Sequence, residues 1–129
     1  GLNIPAQEIT ELGLMFDRVL LDAPCSAEGT LHKNPEVLER INFPYTKLIK
    51  KQHSLIEAAI NVLKPSGTLV YSTCTLNPKE NEGVINHALS QGLTQKPIKS
   101  GEEGINGLGS RFYPHKHGTQ GFFIGRLVK

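Results

Sequence analysis

Apolar side chains recur at steps of three and four between residues 45 and 63, the most regular pattern in the chain. That period predicts an amphipathic helix, with Lys47, Lys50 and Lys51 on its polar face. The helix is predicted to end before Pro65-Ser66-Gly67, a strong stop signal. The positions assigned to its inner face are Tyr45, Leu48, Ile49, Gln52, Leu55, Ile56, Ala59, Ile60 and Leu63.

Two short runs rich in strand-forming residues flank this helix. Residues 16–21 form an apolar run that stops at Asp22-Ala23-Pro24, and residues 68–72 form a second run that continues to Thr75. A strand, a helix and a strand in this order predict an α/β fold with two parallel strands and a right-handed crossover. Ligands bind outside the carboxyl ends of strands in such sheets. We therefore expect the functional residues to follow Asp22 and Ser72.

Two further helices are predicted from a cap residue followed by proline. Asn34-Pro35 predicts a short helix over Glu36–Ile41, and Asn77-Pro78 starts a helix that continues to about Ser90. The inner face of the second helix is assigned to Val84, Ile85, Ala88 and Leu89. Both helices follow a predicted strand end and its loop, in keeping with the alternating α/β pattern.

The two ends of the chain differ in pattern. Residues 1–13 are weakly patterned, whereas the glycines between residues 101 and 109 predict a loop. Strand-like residues near 111–113 and 122–128 then predict a closing antiparallel hairpin. We therefore divide the chain into a lead-in over residues 1–13 and a main unit over residues 14–129.

The composition is that of an ordinary globular domain and argues against several classes of protein. The 129 residues hold 14 Lys+Arg and 12 Asp+Glu, and a formal charge of +2 is too small to indicate nucleic-acid binding by itself. No run approaches the ~18 apolar residues of a membrane span, and no leader is recognised. We expect a cytoplasmic protein with no membrane partner. The first residue is Gly and not Met, which suggests a piece of a longer protein.

Both cysteines of the chain follow a predicted strand end. The long separation of Cys25 from Cys74 fits neither a secreted disulfide framework nor a zinc site, so no metal is expected. A thiol just past a strand end can face a cleft and have its pKa lowered by nearby amides or cations. The alternatives are inert packing, which is common for cysteine, and a redox pair, which usually has Cys-x-x-Cys spacing.

Asp22 ends the first predicted strand and has two readings. A carboxylate there often caps the following turn. It can also accept a hydrogen bond from a base edge, as Asp or Glu does when it reads the exocyclic amine of cytosine. The residues alone leave both readings open.

At these positions the chain resembles the RNA cytosine-5 methyltransferases of the Nol/Nop/Sun (RsmB-like) type, over about residues 14–129. The two cysteine motifs carry most of the resemblance, and four further segments agree in order. The matching segments are Phe16-Asp17, Asp22 to Thr30 (DAPCSAEGT), Leu63 to Thr68 (LKPSGT), Ser72 to Thr75 (STCT) with Glu80-Asn81-Glu82, Arg111 to His115 (RFYPH), and Gly121 to Phe123 (GFF). The resemblance implies the C-terminal half of a Rossmann-like, S-adenosylmethionine-dependent methyltransferase sheet.

The chemistry implied by this resemblance uses both thiols. Carbon 5 of cytosine is too poor a nucleophile to attack a methyl sulfonium, so a thiolate first adds at carbon 6. The resemblance implies that Cys74 is this covalent nucleophile and that Cys25 assists release of the methylated RNA. Asp22 is expected beside the cytosine and the methyl donor. The target base must leave its stack, so the expected partner is single-stranded or locally opened tRNA or rRNA.

Further site residues follow from the matching motifs. Asp22, Ala23 and Pro24 are expected to contact the cofactor S-adenosylmethionine. The residues assigned to the substrate are Ser26, Thr73, Arg111 and His115. For Arg111 the alternative is positioning of the catalytic loops, and for His115 it is a solvated turn.

The donor-binding first half of such an enzyme is absent from the sequence. No glycine-rich turn and no acid-terminated strand precede Phe16. We therefore expect a separate N-terminal donor-binding half as a partner, weak donor binding by this chain alone, and an uncovered sheet edge. Two alternatives are a non-catalytic RNA-binding fragment of the same fold and a thiol redox protein with a Cys25–Cys74 disulfide.

Overall fold

The computed structural model describes residues 4–40 and 45–129, which form a mixed sheet packed against helices. The strands are β1 (Phe16–Asp22), β2 (Leu63–Thr73), β3 (Thr94–Gln95), β4 (Glu102–Glu103), β5 (Ser110–Phe112) and β6 (Phe122–Val128). The α-helices are α1 (Tyr45–Asn61), α2 (Glu82–Ser90) and the single turn α3 (Pro114–His117). Short 3₁₀ helices cover Ala6–Leu12, Glu28–Thr30, Pro35–Arg40 and Ile105–Gly107.

The strand order is β1-β2-β6-β5-β4, and β3 also pairs with β6. Strands β1 and β2 are parallel, as the alternation of strand and helix predicts, and Leu20 lies opposite Val70. Strand β6 is antiparallel to both β2 and β5, so the predicted closing hairpin is confirmed. The two-residue strands β3 and β4 were not predicted, because two residues are too few to show an alternating pattern.

The segment Pro65-Ser66-Gly67 lies inside β2 and not before it. Strand β2 begins at Leu63, and its register against β1 shifts in this segment, where Ser66 has a φ of +63°. Backbone hydrogen bonds to Lys129 hold the segment in the sheet at 2.9 and 3.1 Å. The stop signal therefore marks an irregularity in the strand, while helix α1 ends at Asn61, two residues earlier than predicted.

Helix α2 begins at Glu82, five residues after the predicted start at Asn77. A turn precedes it, in which the backbone N–H of Glu80 donates to Asn77 O at 3.1 Å. Glu80 and Asn81 are fully buried in this turn. The predicted helix over Glu36–Ile41 is a 3₁₀ helix where it is described, and Ile41 lies outside the described residues.

The hydrophobic core lies between one face of the sheet and helices α1 and α2. It is formed by Ile56, Ala59, Ile60, Leu63, Leu69, Tyr71, Val84, Ile85, Ala88, Leu93, Phe123 and Leu127. Burial of each large aliphatic side chain contributes about 1.5–3 kcal/mol. The core anchors the carboxyl ends of β1 and β2, where the candidate residues lie.

The opposite face of the sheet is partly bare. Leu20 is 71% exposed, and a cavity of about 540 Å³ is lined there by Leu20, Val70 and Arg126 among others. Among the described residues β1 pairs with β2 alone, so one sheet edge is open, as expected for a partial sheet. None of the described helices has the length and apolar character needed to cross a membrane.

Candidate active site

The two cysteine side chains meet at the carboxyl ends of the parallel strands. Cys25 Sγ lies 3.3 Å from Cys74 Sγ, and both are free, half-buried thiols. The strand register explains the contact, because Asp22 lies opposite Ser72 and the N–H of Ala23 donates to Ser72 O at 2.9 Å. Cys25 and Cys74 therefore follow strand ends that lie side by side at the same edge of the sheet.

The contact makes the two thiols chemically unequal. The hydrogen bond from Cys25 lowers the pKa of Cys74 to about 7. The same hydrogen bond, together with burial, raises the pKa of Cys25 well above its ordinary value. With a pKa of about 7, Cys74 is partly ionised near neutral pH, and its thiolate accepts a hydrogen bond from the Cys25 thiol. The division of roles implied by the sequence, with Cys74 as nucleophile, agrees with this asymmetry and stays a prediction.

Asp22 is exposed and is held by the neighbouring strand. Its Oδ1 accepts a hydrogen bond from Ser72 Oγ at 2.8 Å. The carboxylate is thereby kept at the strand end beside the thiols, which fits the reading in which it meets a ligand. Ala23 behind it is buried, and Pro24 is exposed.

The loop that carries Cys25 is fixed through its neighbours. The backbone N–H and the hydroxyl of Ser26 donate to the carboxylate of Glu80 at 2.9 and 2.6 Å. Gln52 Nε2 donates to Pro24 O and to Glu80, both at 2.9 Å. The backbone then turns at Ala27, whose φ of +60° is rare for a residue other than glycine.

The loop that carries Cys74 is fixed in a similar way. Thr73 Oγ1 donates to Asn81 Oδ1 at 2.6 Å, and Asn81 Nδ2 donates to Thr75 O at 3.0 Å. Thr73, Thr75 and Asn81 are all fully buried. Ser26 and Thr73, assigned to the substrate from the sequence, thus have protein partners in this structure, and their contact with a substrate stays a prediction.

A glycine contact joins both loops to the closing hairpin. The N–H of Gly29 donates to Cys74 O at 3.0 Å, and the N–H of Gly121 donates to Gly29 O at 2.9 Å. A Cβ at Gly29 would collide with the carbonyl of Gly121 and lie 2.8 Å from Cys74 O. The two cysteine loops and the hairpin therefore converge where only glycine fits.

Arg111 lies below the site in a buried ion pair. Its Nε and Nη2 donate to the Glu82 carboxylate at 2.6 and 2.7 Å, and its Nη1 donates to Leu76 O at 2.9 Å. The hydrogen bond to Glu82 raises the pKa of Arg111. These contacts favour the loop-positioning alternative for Arg111, and its assignment to the substrate stays untested.

His115 lies elsewhere, in the exposed turn of the hairpin. It belongs to α3, and its ring centroid lies 5.8 Å from that of Tyr113. The structure therefore does not place it on a strand end with the cysteines. Its contact with RNA phosphate stays a prediction.

A cavity of about 380 Å³ opens beside Cys25. Pro24, Ser26 and the first turns of α1 line it, with Tyr45 and Leu48 on the apolar side and Lys47 and Lys51 as the charged residues. Tyr45 is held by a hydrogen bond of 2.6 Å to Glu28, which raises the pKa of Tyr45 to about 12. Cys25 lines this cavity and Cys74 does not.

Sequence reasoning missed the buried polar residues that hold the loops. The sequence pattern assigns Glu80, Asn81 and Glu82 to a helix start or to a family motif. It assigns Gln52 to an apolar stripe. A polar residue at a core position of α1 was the available signal, because buried polar groups need partners. The Gln52 amide orientation is fixed by its two acceptors, and within the described chain its Oε1 has no partner.

The described residues contain no group of three metal-ligating side chains.

The sequence predicts that Asp22, Ala23 and Pro24 contact a methyl donor, and this contact stays a prediction. The exposed carboxylate of Asp22 at the end of β1 fits a group that needs a hydrogen-bond acceptor there, and the open edge of β1 leaves room for further sheet. Asp22, Ala23 and Pro24 therefore fit the predicted donor contact, while the sequence before Phe16 lacks a glycine-rich turn.

The chain is similar to several known proteins over most of its length. Residues 3–128 match the family model described as 16S rRNA methyltransferase RsmB/F. The tRNA (cytosine(72)-C(5))-methyltransferase of Pyrococcus horikoshii is 41% identical over 133 residues, which cover 99% of this chain and 33% of that protein. Ribosomal RNA small subunit methyltransferase F of Aliivibrio fischeri (strain MJ11) is 38% identical over 125 residues, which cover 88% of this chain and 26% of that protein.

A solved structure is similar over the same region. The crystal structure of NSun6 from Pyrococcus horikoshii with SFG matches with a TM-score of 0.84 and 40% identity. The match covers 99% of this chain and 34% of that one. This chain thus spans about a quarter to a third of the length of these relatives.

Proposed function

Because the chain belongs to the 16S rRNA methyltransferase RsmB/F family, we propose that it is the C-terminal catalytic part of an RNA cytosine-5 methyltransferase. The observation that carries the proposal is the 3.3 Å contact between Cys25 and Cys74, in which Cys74 has the lowered pKa. The relatives named above are RNA methyltransferases for tRNA and for ribosomal RNA. The complete activity needs the donor-binding part that lies outside this chain.

The reaction begins at Cys74. Its thiolate adds to carbon 6 of the cytosine, so that carbon 5 becomes the nucleophile. Asp22 holds the base edge by accepting a hydrogen bond from the exocyclic amine. Once carbon 5 carries the methyl group, a general base takes its proton, the electron pair restores the double bond between carbons 5 and 6, and the bond from carbon 6 to Cys74 Sγ breaks to return the thiolate. Cys25, 3.3 Å away, assists this release.

S-adenosylmethionine, when bound, supplies the methyl group on a positively charged sulfur. The proposed contacts from this chain are Asp22, Ala23 and Pro24 at the end of β1. A structure of a relative with SFG, an analogue of S-adenosylmethionine, supports this cofactor for the family. The buried Ala23 fixes the backbone beneath the donor, and the exposed Asp22 carboxylate faces it.

The proposed substrate is single-stranded or locally opened RNA in the cytoplasm. The cavity beside Cys25 supports an RNA substrate, because Lys47 and Lys51 provide charge for phosphate and Tyr45 provides a flat apolar surface. A base that reacts with Cys74 would place the adjoining nucleotide near this cavity. The relatives include enzymes for both tRNA and ribosomal RNA, so the proposal covers both classes.

A denaturing gel tests the proposal directly. The chain is combined with the donor-binding half of a relative, S-adenosylmethionine and unmodified RNA. We expect Cys74→Ala to abolish methyl transfer and Cys25→Ala to trap an RNA-linked protein, because release is then impaired. A stable adduct in Cys74→Ala but not in Cys25→Ala would reverse the assigned roles.

The short thiol contact also favours a second candidate function, that of a thiol redox protein. Two thiols at 3.3 Å can form a disulfide by losing two protons and two electrons to an oxidant such as a peroxide. This candidate predicts a reversible Cys25–Cys74 disulfide in cells and no methyl transfer when the donor-binding half is supplied. A non-catalytic fragment would bind RNA in that mixture without methylating it.

A further inference from the structure

We propose that Glu80 and Asn81, two consecutive buried residues, set the contact between the two thiols, each holding the residues on both sides of one cysteine. They are positioning residues: neither lies at the thiols, and each acts through the loops. The bearing of this on catalysis rests on the function proposed above, whereas the positioning itself does not.

Glu80 holds the loop of Cys25. Its carboxylate accepts the backbone N–H of Ser26 at 2.9 Å and the Ser26 hydroxyl at 2.6 Å. It also accepts Gln52 Nε2 at 2.9 Å, and the same nitrogen donates to Pro24 O at 2.9 Å. The residues before and after Cys25 are therefore both tied to Glu80, one directly and one through Gln52.

Asn81 holds the loop of Cys74 in the same manner. Its Oδ1 accepts Thr73 Oγ1 at 2.6 Å, and its Nδ2 donates to Thr75 O at 3.0 Å. The residues before and after Cys74 are therefore both bonded to one amide side chain. Because this amide uses its donor and its acceptor at once, no other side chain of similar size can make both contacts.

Glu80 and Asn81 are adjacent in the chain. Consecutive Cα atoms are about 3.8 Å apart, so the distance between the two sets of hydrogen bonds cannot vary much. The turn that carries them is itself fixed, since Tyr71 Oη donates to Glu80 O at 2.7 Å in the core. Glu80 and Asn81 are both 0% exposed, so water does not compete for these bonds.

The test is the pH dependence of alkylation of Cys74 by iodoacetamide in the whole chain, followed by mass spectrometry of the Cys74 peptide. We expect Glu80→Gln and Asn81→Ala to slow the reaction at pH 7 by about 15-fold, as the Cys74 pKa returns from about 7 to an ordinary ~8.5. The Glu80 charge by itself raises the pKa of Cys74. If Glu80→Gln only removed the charge and left the hydrogen bonds to the Cys25 loop intact, the alkylation of Cys74 would become faster and not slower.

Two further comparisons separate positioning from general loosening. In a Cys25→Ala background, where the thiol contact is already lost, the same variants should give no further slowing. Gln95→Ala is the matched control, because Gln95 is also an amide that bonds backbone groups of one turn, Gly107 O at 2.7 Å and the N–H of Gly109 at 2.8 Å, and that turn contains neither cysteine. We expect it to leave the Cys74 rate within about twofold.

Unchanged or faster alkylation in folded Glu80→Gln and Asn81→Ala would overturn the proposal, and so would equal slowing in Gln95→Ala. Should Asn81→Ala fail to fold, Thr73→Val removes the hydroxyl that donates to Asn81 Oδ1 without adding a charge, and the same slowing is expected. The assay needs neither RNA nor methyl donor. A failure of methyl transfer therefore leaves the positioning result intact, and the two failures are distinguishable.

Discussion

Ser72 and Asp22 lie opposite each other at the last paired position of the two parallel strands, and the serine hydroxyl donates to the aspartate at 2.8 Å. Ser72 is 5% exposed, whereas Asp22 is exposed. The bond therefore connects the buried interior to a carboxylate that faces solvent. It also joins the ends of β1 and β2, from which the loops of Cys25 and Cys74 start.

Ser72→Ala should lower the free energy of unfolding by about 1 kcal/mol, the usual net value of one hydrogen bond. Ser90→Ala is the matched control, because Ser90 Oγ donates to His87 O on the exposed surface. We expect that variant to change stability by less than about 0.5 kcal/mol. Urea denaturation measures both, and equal losses would show that the contact with Asp22 has no special weight.

Gly29→Ala should destabilise the chain by more than about 2 kcal/mol and disturb both cysteine loops. The new Cβ would collide with the Gly121 carbonyl, and main-chain atoms cannot move aside cheaply. Gly83→Ala is the control, because Gly83 lies in α2 with its nearest atom 3.5 Å from an added Cβ. We expect it to be neutral or to stabilise by up to about 1 kcal/mol. Thermal unfolding decides, and a tolerated Gly29→Ala contradicts the close approach.

Arg111→Ala should lower the free energy of unfolding by about 3–5 kcal/mol, because it leaves the buried charge of Glu82 without its partner. The exposed pair between Lys64 and Asp17, at 3.0 Å, provides the comparison. Lys64→Ala should change stability by less than about 1 kcal/mol. Urea is used as the denaturant, because guanidinium chloride is a salt and would screen the ion pairs. Similar losses in both variants would show that burial of Arg111 is overstated.

Lys47→Ala and Lys51→Ala should weaken binding of a single-stranded oligoribonucleotide and reduce the salt dependence of binding. Each lost phosphate contact should lower the slope of log K against log salt by about 0.7. Lys50→Ala is the control, since Lys50 is an exposed lysine on the same helix that does not line the cavity beside Cys25. Fluorescence anisotropy at several salt concentrations measures the slopes. An equal effect of Lys50→Ala would point to a diffuse charge and not to the cavity.

Much of this fold follows from local patterns in the sequence. The apolar period predicts α1, and the strand order places Cys25 and Cys74 at one end of the sheet. Both the parallel pairing and the closing hairpin agree with the structure. These features are predictable because they depend on hydrophobic periodicity and on the rules for connecting strands.

The rest depends on contacts between residues far apart in the chain. Glu80 and Asn81 follow an Asn-Pro cap and look like the first turn of a helix, yet they bond to loops at Ser26 and Thr73. Gln52 fits the period of an apolar stripe, yet it serves the Cys25 loop. Local propensity cannot reveal such partners, because the hydrogen bonds exist only after the strands have paired.

Alkylation of both cysteines of the unaltered chain between pH 5 and pH 10 tests whether the contact between the thiols makes Cys74 the more acidic of the two. The reacted fraction of each cysteine peptide is measured by mass spectrometry after short exposure to iodoacetamide. We predict that Cys74 reacts first, with a midpoint at a pH of about 7, because Cys25 donates to its thiolate. In molecules whose Cys74 has not yet reacted, Cys25 should stay unreacted above the ordinary thiol pKa of about 8.5, because the hydrogen bond to Cys74 and burial raise the pKa of Cys25. Earlier reaction of Cys25, or equal midpoints near pH 8.5, would contradict this prediction.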